Sequence, residues 1–171
     1  MKPPMLSVQT PIGWVTLSAR GGALVEVRLP PPGRAALGRA RSEDPLLLRA
    51  RRELLEYFAG DRSAFEVPLA LGGTDFERAV YAAVLAIPIG DTRSYGEVAR
   101  AIGRPRAARA VGAANGKNPL PIFVPCHRLL GADGSLVGYG GGEPMKRWLL
   151  EHETRVAGRR RSGRGSPRRG A

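Results

Sequence analysis

Cysteine is almost missing from this chain: Cys126 is the only one in 171 residues. That excludes an internal disulfide and leaves no thiolate set for a zinc cluster. Histidine is nearly as scarce, with His127 and His152 alone, so no metal site is expected. No run of about 18 apolar residues occurs, so nothing in the sequence is suited to spanning a membrane. The opening residues, Met1-Lys2-Pro3-Pro4-Met5-Leu6, lack the apolar core of a secretory signal. With a single free thiol, which suits a reducing compartment, the expected location is the cytoplasm. Acid is missing where base is densest. Residues 155–171 hold seven arginines and no Asp or Glu, leaving +5 of the net +12 on the rest of the chain. That Arg-, Gly- and Ser-rich tail has little to bury and is predicted to be disordered. It either adds salt-sensitive attraction to nucleic acid or reflects a solubilising drift in composition.

What is present suffices for one domain or two small ones, since 43% of the residues are hydrophobic. The first 72 residues read as an α+β unit. Pro11-Ile12-Gly13 and Gly21-Gly22 are turns between short apolar runs, and Ala23, Val25, Val27 and Leu29 alternate with Leu24, Glu26 and Arg28. Asp44-Pro45 starts a helix whose face carries Leu47, Leu54, Leu55 and Phe58, stopped by Gly60. Phe65, Val67 and Leu69 suggest one more strand. No chemistry is recognisable in this unit.

From residue 73 the pattern is helical. Thr74-x-x-Glu77 and Ser94-x-x-Glu97 are capping boxes, the first opening a helix that ends at Pro88 and Gly90, the second a short helix closed by Gly103. Pro105 leads into a third helix, from Ala107 to about Asn115. Two short helices joined by a tight turn form a helix-turn-helix signal. The second carries Arg106 and Arg109 among Ala107, Ala108, Ala110, Gly112, Ala113 and Ala114. Small residues there either pack on the core or allow close approach to a partner, and the arginines favour contact with DNA. A loop over Asn118–Gly142 follows. The last helix begins near Pro144 and sets Met145, Trp148, Leu149 and His152 on one face, with Glu153 one step round.

Cys126 lies in that loop, in Pro125-Cys126-His127-Arg128. An unpaired cysteine is either an apolar filler or a reagent. Pro125, which fixes the backbone before it, the neighbouring imidazole and the charge of Arg128 favour the reagent, because a thiol reacts as thiolate. Adjacent side chains rarely point the same way, so contact between Cys126 and His127 needs a sharp turn or a bridging water. A histidine base also needs an acceptor on its other nitrogen. The candidates downstream are Asp133, Glu143, Glu151 and Glu153, of which the last pair sits on a rigid helix.

Ile87-Pro88-x-Gly90, Ser94-Tyr95-Gly96-Glu97, Ala108-Arg109-Ala110-Val111-Gly112, Asn118-Pro119, Pro125-Cys126-His127-Arg128, Gly138-Tyr139-Gly140-Gly141-Gly142 and Lys146-x-Trp148-Leu149-Leu150-x-x-Glu153 occur in this order over about two-fifths of the chain. Together they closely resemble the O6-alkylguanine-DNA alkyltransferase family. The resemblance implies an α+β protein with a small ribonuclease-H-like antiparallel-sheet domain at 1–72 and a helix-turn-helix, winged-helix-like catalytic domain at 73–154, followed by the basic tail at 155–171. It implies direct-reversal repair: one irreversible transfer from O6-alkylguanine, with O4-alkylthymine a further substrate to test, to Cys126. His127 corresponds to a water-relayed base oriented by Glu153, Asn118 to a brace of the reactive turn, and Tyr95 to the proton donor for the leaving purine. Arg109 resembles the finger that replaces a flipped base, and Ala110, Gly112 and Ala113 fit a helix lying in the minor groove. Tyr139 and Gly140 correspond to the pocket wall, while Lys146 and Arg128 would add positive charge toward substrate or DNA. No cofactor is implied. The expected partner is double-stranded DNA carrying the lesion, bound by a protein that is monomeric in solution and able to cluster on DNA. A lesion binder without transfer chemistry would lack the cysteine, a helix-turn-helix regulator would need more base-reading polar groups than this second helix offers, and a cysteine hydrolase would need a thioester that water can open.

Overall fold

A computed structural model describes residues 1–33 and 39–164. Three antiparallel strands, β1 (Met5–Thr10), β2 (Gly13–Arg20) and β3 (Ala23–Arg28), form a sheet in the order β1-β2-β3, joined by the two predicted turns. Helix α1 (Pro45–Ala59) covers one face. Leu6 and Val8, Val15 and Leu17, and Leu24 and Val27 point into the core with Leu47, Ala50, Leu54, Tyr57 and Phe58 of α1. Asp44 caps α1 by accepting the amides of Leu46 and Leu47, and Gly60 ends it in the left-handed region at φ 83°.

Three expectations fail in this part of the chain, each for a visible reason. The alternation in β3 breaks because the register shifts opposite Ser18 and Ala19. Ser18 pairs with Glu26 and Ala19 with Leu24, leaving Val25 as an extra residue, and this bulge turns both Leu24 and Val27 inward. Leu55 is exposed rather than sharing the buried face of α1. Residues 65–69 do not form a strand but touch the sheet through one bridge, Leu24 to Leu69. The buried carboxylate of Glu53 in α1 accepts the amides of Glu66 and Val67 that a strand would have used, and Pro68 has none to give.

Beyond the predicted linker come α2 (Asp75–Leu85), the two-residue strand β4 (Arg93–Ser94), α3 (Tyr95–Ala101) and α4 (Ala108–Gly116). Both capping boxes are formed. The α3–turn–α4 unit packs on α2, burying Val111, Ala114 and Asn115 of α4 and leaving Arg106, Arg109, Ala110 and Ala113 outward. A 3-10 turn η1 (Cys126–Arg128) and β5 (Leu129–Leu130), parallel to β4, lead through a loop to the 22-residue α5 (Glu143–Arg164). A single cluster of buried side chains runs from the sheet through α1, α2, α4 and the reactive loop to Leu149 of α5. No helix among the described residues is long and apolar enough to cross a membrane.

The tail is the fourth departure. Helix α5 continues through residues 155–164, which the sequence predicts to be disordered, while 165–171 lie outside the described residues. Val156 and Ala157 extend the buried stripe of Leu149, His152 and Glu153 by one more turn, against Gly60 and Gly90. Ending the chain after Thr154 is therefore expected to cost about 2–3 kcal/mol through lost burial. Ending it after Gly158 should change stability by less than about 1 kcal/mol. Urea unfolding of the two truncations checks this, and equal losses would contradict the packing role of that turn.

Candidate functional site

The reactive turn is held by two asparagines, Asn115 in the last turn of α4 and Asn118 just beyond it. Asn118 donates Nδ2 to the carbonyl of Val124 at 3.0 Å and accepts the amide of Leu120 at 2.9 Å, clamping both ends of the Leu120–Val124 turn. Within it Ile122 has φ 74°, costly for a β-branched residue, so the clamp keeps the chain where it would not rest unaided. Asn115, one turn earlier and buried, donates to the carbonyl of Cys126 at 3.3 Å.

This geometry buries Cys126, His127 and Arg128 in succession. Burial pushes the Cys126 thiol up, against a hydrogen bond from Asn118 and the charge of Lys146, so the thiol is protonated at rest. His127 has no exposed surface and turns Nε2 to Glu153 Oε1 at 2.6 Å. Facing an ionised carboxylate, Nε2 carries the proton, so Nδ1 is the acceptor. Nδ1 is buried and has no hydrogen-bond partner among the described residues.

Glu153 is itself fully buried. Its Oε1 also accepts Tyr57 Oη at 2.7 Å and Arg128 Nη2 at 2.9 Å, and its Oε2 accepts Arg128 Nε at 2.8 Å. Burial raises the carboxyl, but the charges and hydrogen bonds of His127 and Arg128 outweigh it and hold the group well below the usual carboxylate range. Arg128 also donates to the carbonyl of Ile87.

Several sequence-predicted residues thus meet, though not all in the expected roles. Cys126, His127, Glu153 and Asn118 form one connected group. Arg128 and Lys146, expected to face substrate or DNA, are buried. Arg128 is spent on Glu153, and Lys146 donates to the carbonyls of Leu129 and Val137. A buried charge must find partners inside the fold, and these two fasten the loop to α5. Tyr95, half-buried, reaches the carbonyl of Val137 at 3.1 Å with its ring over Gly112. Tyr139 places its ring edge-on to His127 at 6.3 Å, its hydroxyl buried and unpartnered among the described residues, while Gly140 is exposed. Arg109, Ala110 and Ala113 lie on the open face of α4, with Gly112 half-buried beside them.

Sequence reasoning missed Tyr57 and Asn115. The helical period of Leu47, Leu54 and Phe58 placed a tyrosine on the buried stripe, and a phenol there needs an acceptor. Asn115, three residues before Asn118 and on the inner face of α4, gave a comparable signal.

Glu153→Gln should flatten the acid dependence of stability. A carboxylate held below its ordinary value stabilises the fold above about pH 4 and loses that contribution as pH falls. Urea unfolding between pH 3 and 7 should show a shallower slope for the variant, and parallel curves would contradict the assignment. Arg128→Met, which leaves Glu153 without its ion pair, should cost about 3–5 kcal/mol at neutral pH.

Residues 75–155 match the family described as 6-O-methylguanine DNA methyltransferase, DNA binding domain. A Mycobacterium bovis protein named methylated-DNA–protein-cysteine methyltransferase is 49% identical over 148 residues, covering 86% of this chain and 90% of that protein. A constitutive methylated-DNA–protein-cysteine methyltransferase of Bacillus subtilis is 49% identical over 112 residues, 65% of this chain and 68% of that one. Among solved structures, Mycobacterium tuberculosis OGT in complex with DNA superposes with a TM-score of 0.78 at 47% identity, covering 89% of this chain and 93% of that one. With so similar a relative matched over most of both lengths, this chain belongs to the methylated-DNA–protein-cysteine methyltransferase family.

Proposed function

We propose that this protein repairs alkylated DNA by direct reversal, moving the alkyl group of O6-alkylguanine to Cys126 in a single irreversible step, with residues 73–154 as the reacting unit and 1–72 as its support. The observation that carries this reading is one protonated, buried thiol in a braced turn, followed by a histidine whose free nitrogen is backed by a buried carboxylate. The family relationship and the DNA-bound structural relative agree with it.

The chemistry follows from the geometry. Deprotonation must precede attack, because the thiolate is the nucleophile. His127 Nδ1 takes the thiol proton through a water, and Glu153 steadies the imidazolium through Nε2. Sγ attacks the alkyl carbon, the carbon–O6 bond breaks, and its electron pair stays with the purine. Tyr95, at the rim, donates the proton that restores neutral guanine and regains one from solvent, to which the relay releases the thiol proton. The product is a thioether, which offers water no acyl carbon, so the protein is used once. A base inside a duplex cannot reach a buried thiol, so the nucleotide must be extruded. Arg109 on the open face of α4 suits the vacated space, and Ala110, Gly112 and Ala113 let the backbone approach the groove.

Incubation with a duplex containing O6-methylguanine should add one methyl group to the Cys126 peptide, read by mass spectrometry, as the lesion disappears. An unmodified peptide with an unrepaired base overturns the reading. His127→Ala and Glu153→Ala should slow transfer at least tenfold while changing lesion-duplex affinity less than about threefold, since both act on thiolate formation. Matching losses in rate and affinity would contradict those roles.

A further inference from the structure

Tyr57 belongs to α1, in the part of the chain where the sequence shows no chemistry. Its hydroxyl reaches Glu153, 96 positions further on, and is almost completely buried. The phenol has little freedom to leave. Its ring stands edge-on to Phe58 and His152, with centroids at 5.2 and 5.3 Å, and is tilted against Phe65 at 5.5 Å. The backbone is tied as well, since the Tyr57 carbonyl is bonded by His152 Nε2 at 2.9 Å. Burial, then the charge of Glu153, hold the phenol well above its ordinary range, so near neutral pH it acts only as a donor.

The oxygen it meets is the one that His127 uses. Oε1 is shared between Tyr57 at 2.7 Å and His127 Nε2 at 2.6 Å, with Arg128 Nη2 at 2.9 Å. Arg128 and His127 belong to the same three-residue turn and move with it. Tyr57 is therefore the only contact to Oε1, among the described residues, that comes from outside both the reactive turn and α5.

We propose that Tyr57 is a positioning residue for alkyl transfer, fixing Glu153 Oε1 from α1 and sharing its negative charge, so that the amino-terminal unit sets how well His127 accepts the thiol proton. The inference rests on the transfer reading given above. Charge that the phenol does not neutralise remains available to Nε2–H and favours the imidazolium. A histidine already protonated cannot take the thiol proton. The charged and titratable groups around this centre are Tyr57 from α1, His127 and Arg128 from η1, Tyr139 from the glycine loop, His152 from α5 against the Tyr57 ring, and Cys126 and Lys146 behind them. Of these, Tyr57 is the one donor to Glu153 that can lose its donor atom without losing its shape.

Tyr57→Phe tests the proposal in the full chain. Single-turnover transfer from an O6-methylguanine duplex, at saturating protein, is measured from pH 5 to 9 beside lesion-duplex affinity and thermal stability. The expected result is a rate about three- to tenfold lower at pH 7, a net hydrogen-bond effect of the usual size. The acid limb of the profile should also move to higher pH, with affinity unchanged. Leu54→Val, a buried substitution in the same helix away from Glu153, should lower the melting temperature yet keep the parent rate and profile where it is folded. A parent-like rate and profile for Tyr57→Phe overturns the inference, and so does an equal shift for Leu54→Val. A parent protein that transfers no methyl group overturns the repair reading itself, and this inference with it.

Discussion

A carboxylate without solvent exposure is a costly thing to place inside a protein, and Glu153 is such a group. It is tolerable only because donors converge on it from two segments far from it in sequence, Tyr57 from α1 and His127 and Arg128 from η1, while α5 carries the charge itself. Losing Arg128 takes away the ion pair and leaves a charge in the interior, and losing Tyr57 or His127 leaves that charge with fewer donors. The contact that orients the proposed base is therefore also a contact on which the assembly of α1, the reactive turn and α5 depends. Catalytic geometry and folding stability are in this sense one problem here.

The same economy of charge explains the resting state of the thiol. Arg128 lies two residues after Cys126, which suggests a cation that activates the sulfur, but its guanidinium is turned to Glu153. Lys146 opposes the effect of burial without overcoming it. Cys126 thus waits as a neutral thiol on a turn whose strained Ile122 is held by Asn118. A one-use acceptor gains from that arrangement, because a free thiolate would be consumed by any passing electrophile. In the proposed transfer, activation is left to the His127–Glu153 relay once a substrate carbon lies against the sulfur.

Local signals carried much of the fold. Thr74–Glu77, Ser94–Glu97, Asp44-Pro45 and Gly60 act within a few residues, and all four stand where the sequence places them. Signals that depend on a distant partner were the ones misread. Strand alternation could not reveal the bulge at Val25, because register is decided by β2. Phe65–Leu69 has a strand-like pattern, but its amides were taken by Glu53. The arginine-rich end looked unfoldable by composition until Val156 and Ala157 found Gly60 and Gly90. The site divides in the same way. Cys126, His127, Asn118 and Glu153 were legible from motif and order, whereas the inward turn of Arg128 and Lys146 and the reach of Tyr57 exist only once the chain has closed on itself.

Burial holds Cys126 protonated until, in the proposed mechanism, the relay acts on it. The pH dependence of its reaction with a small haloacetamide, in the free protein without DNA, tests this most directly. The predicted result is slow alkylation whose rate rises with an inflection above that of an ordinary thiol, about pH 8.5. Rapid alkylation with an inflection below about pH 7 would mean a standing thiolate, and would contradict the account.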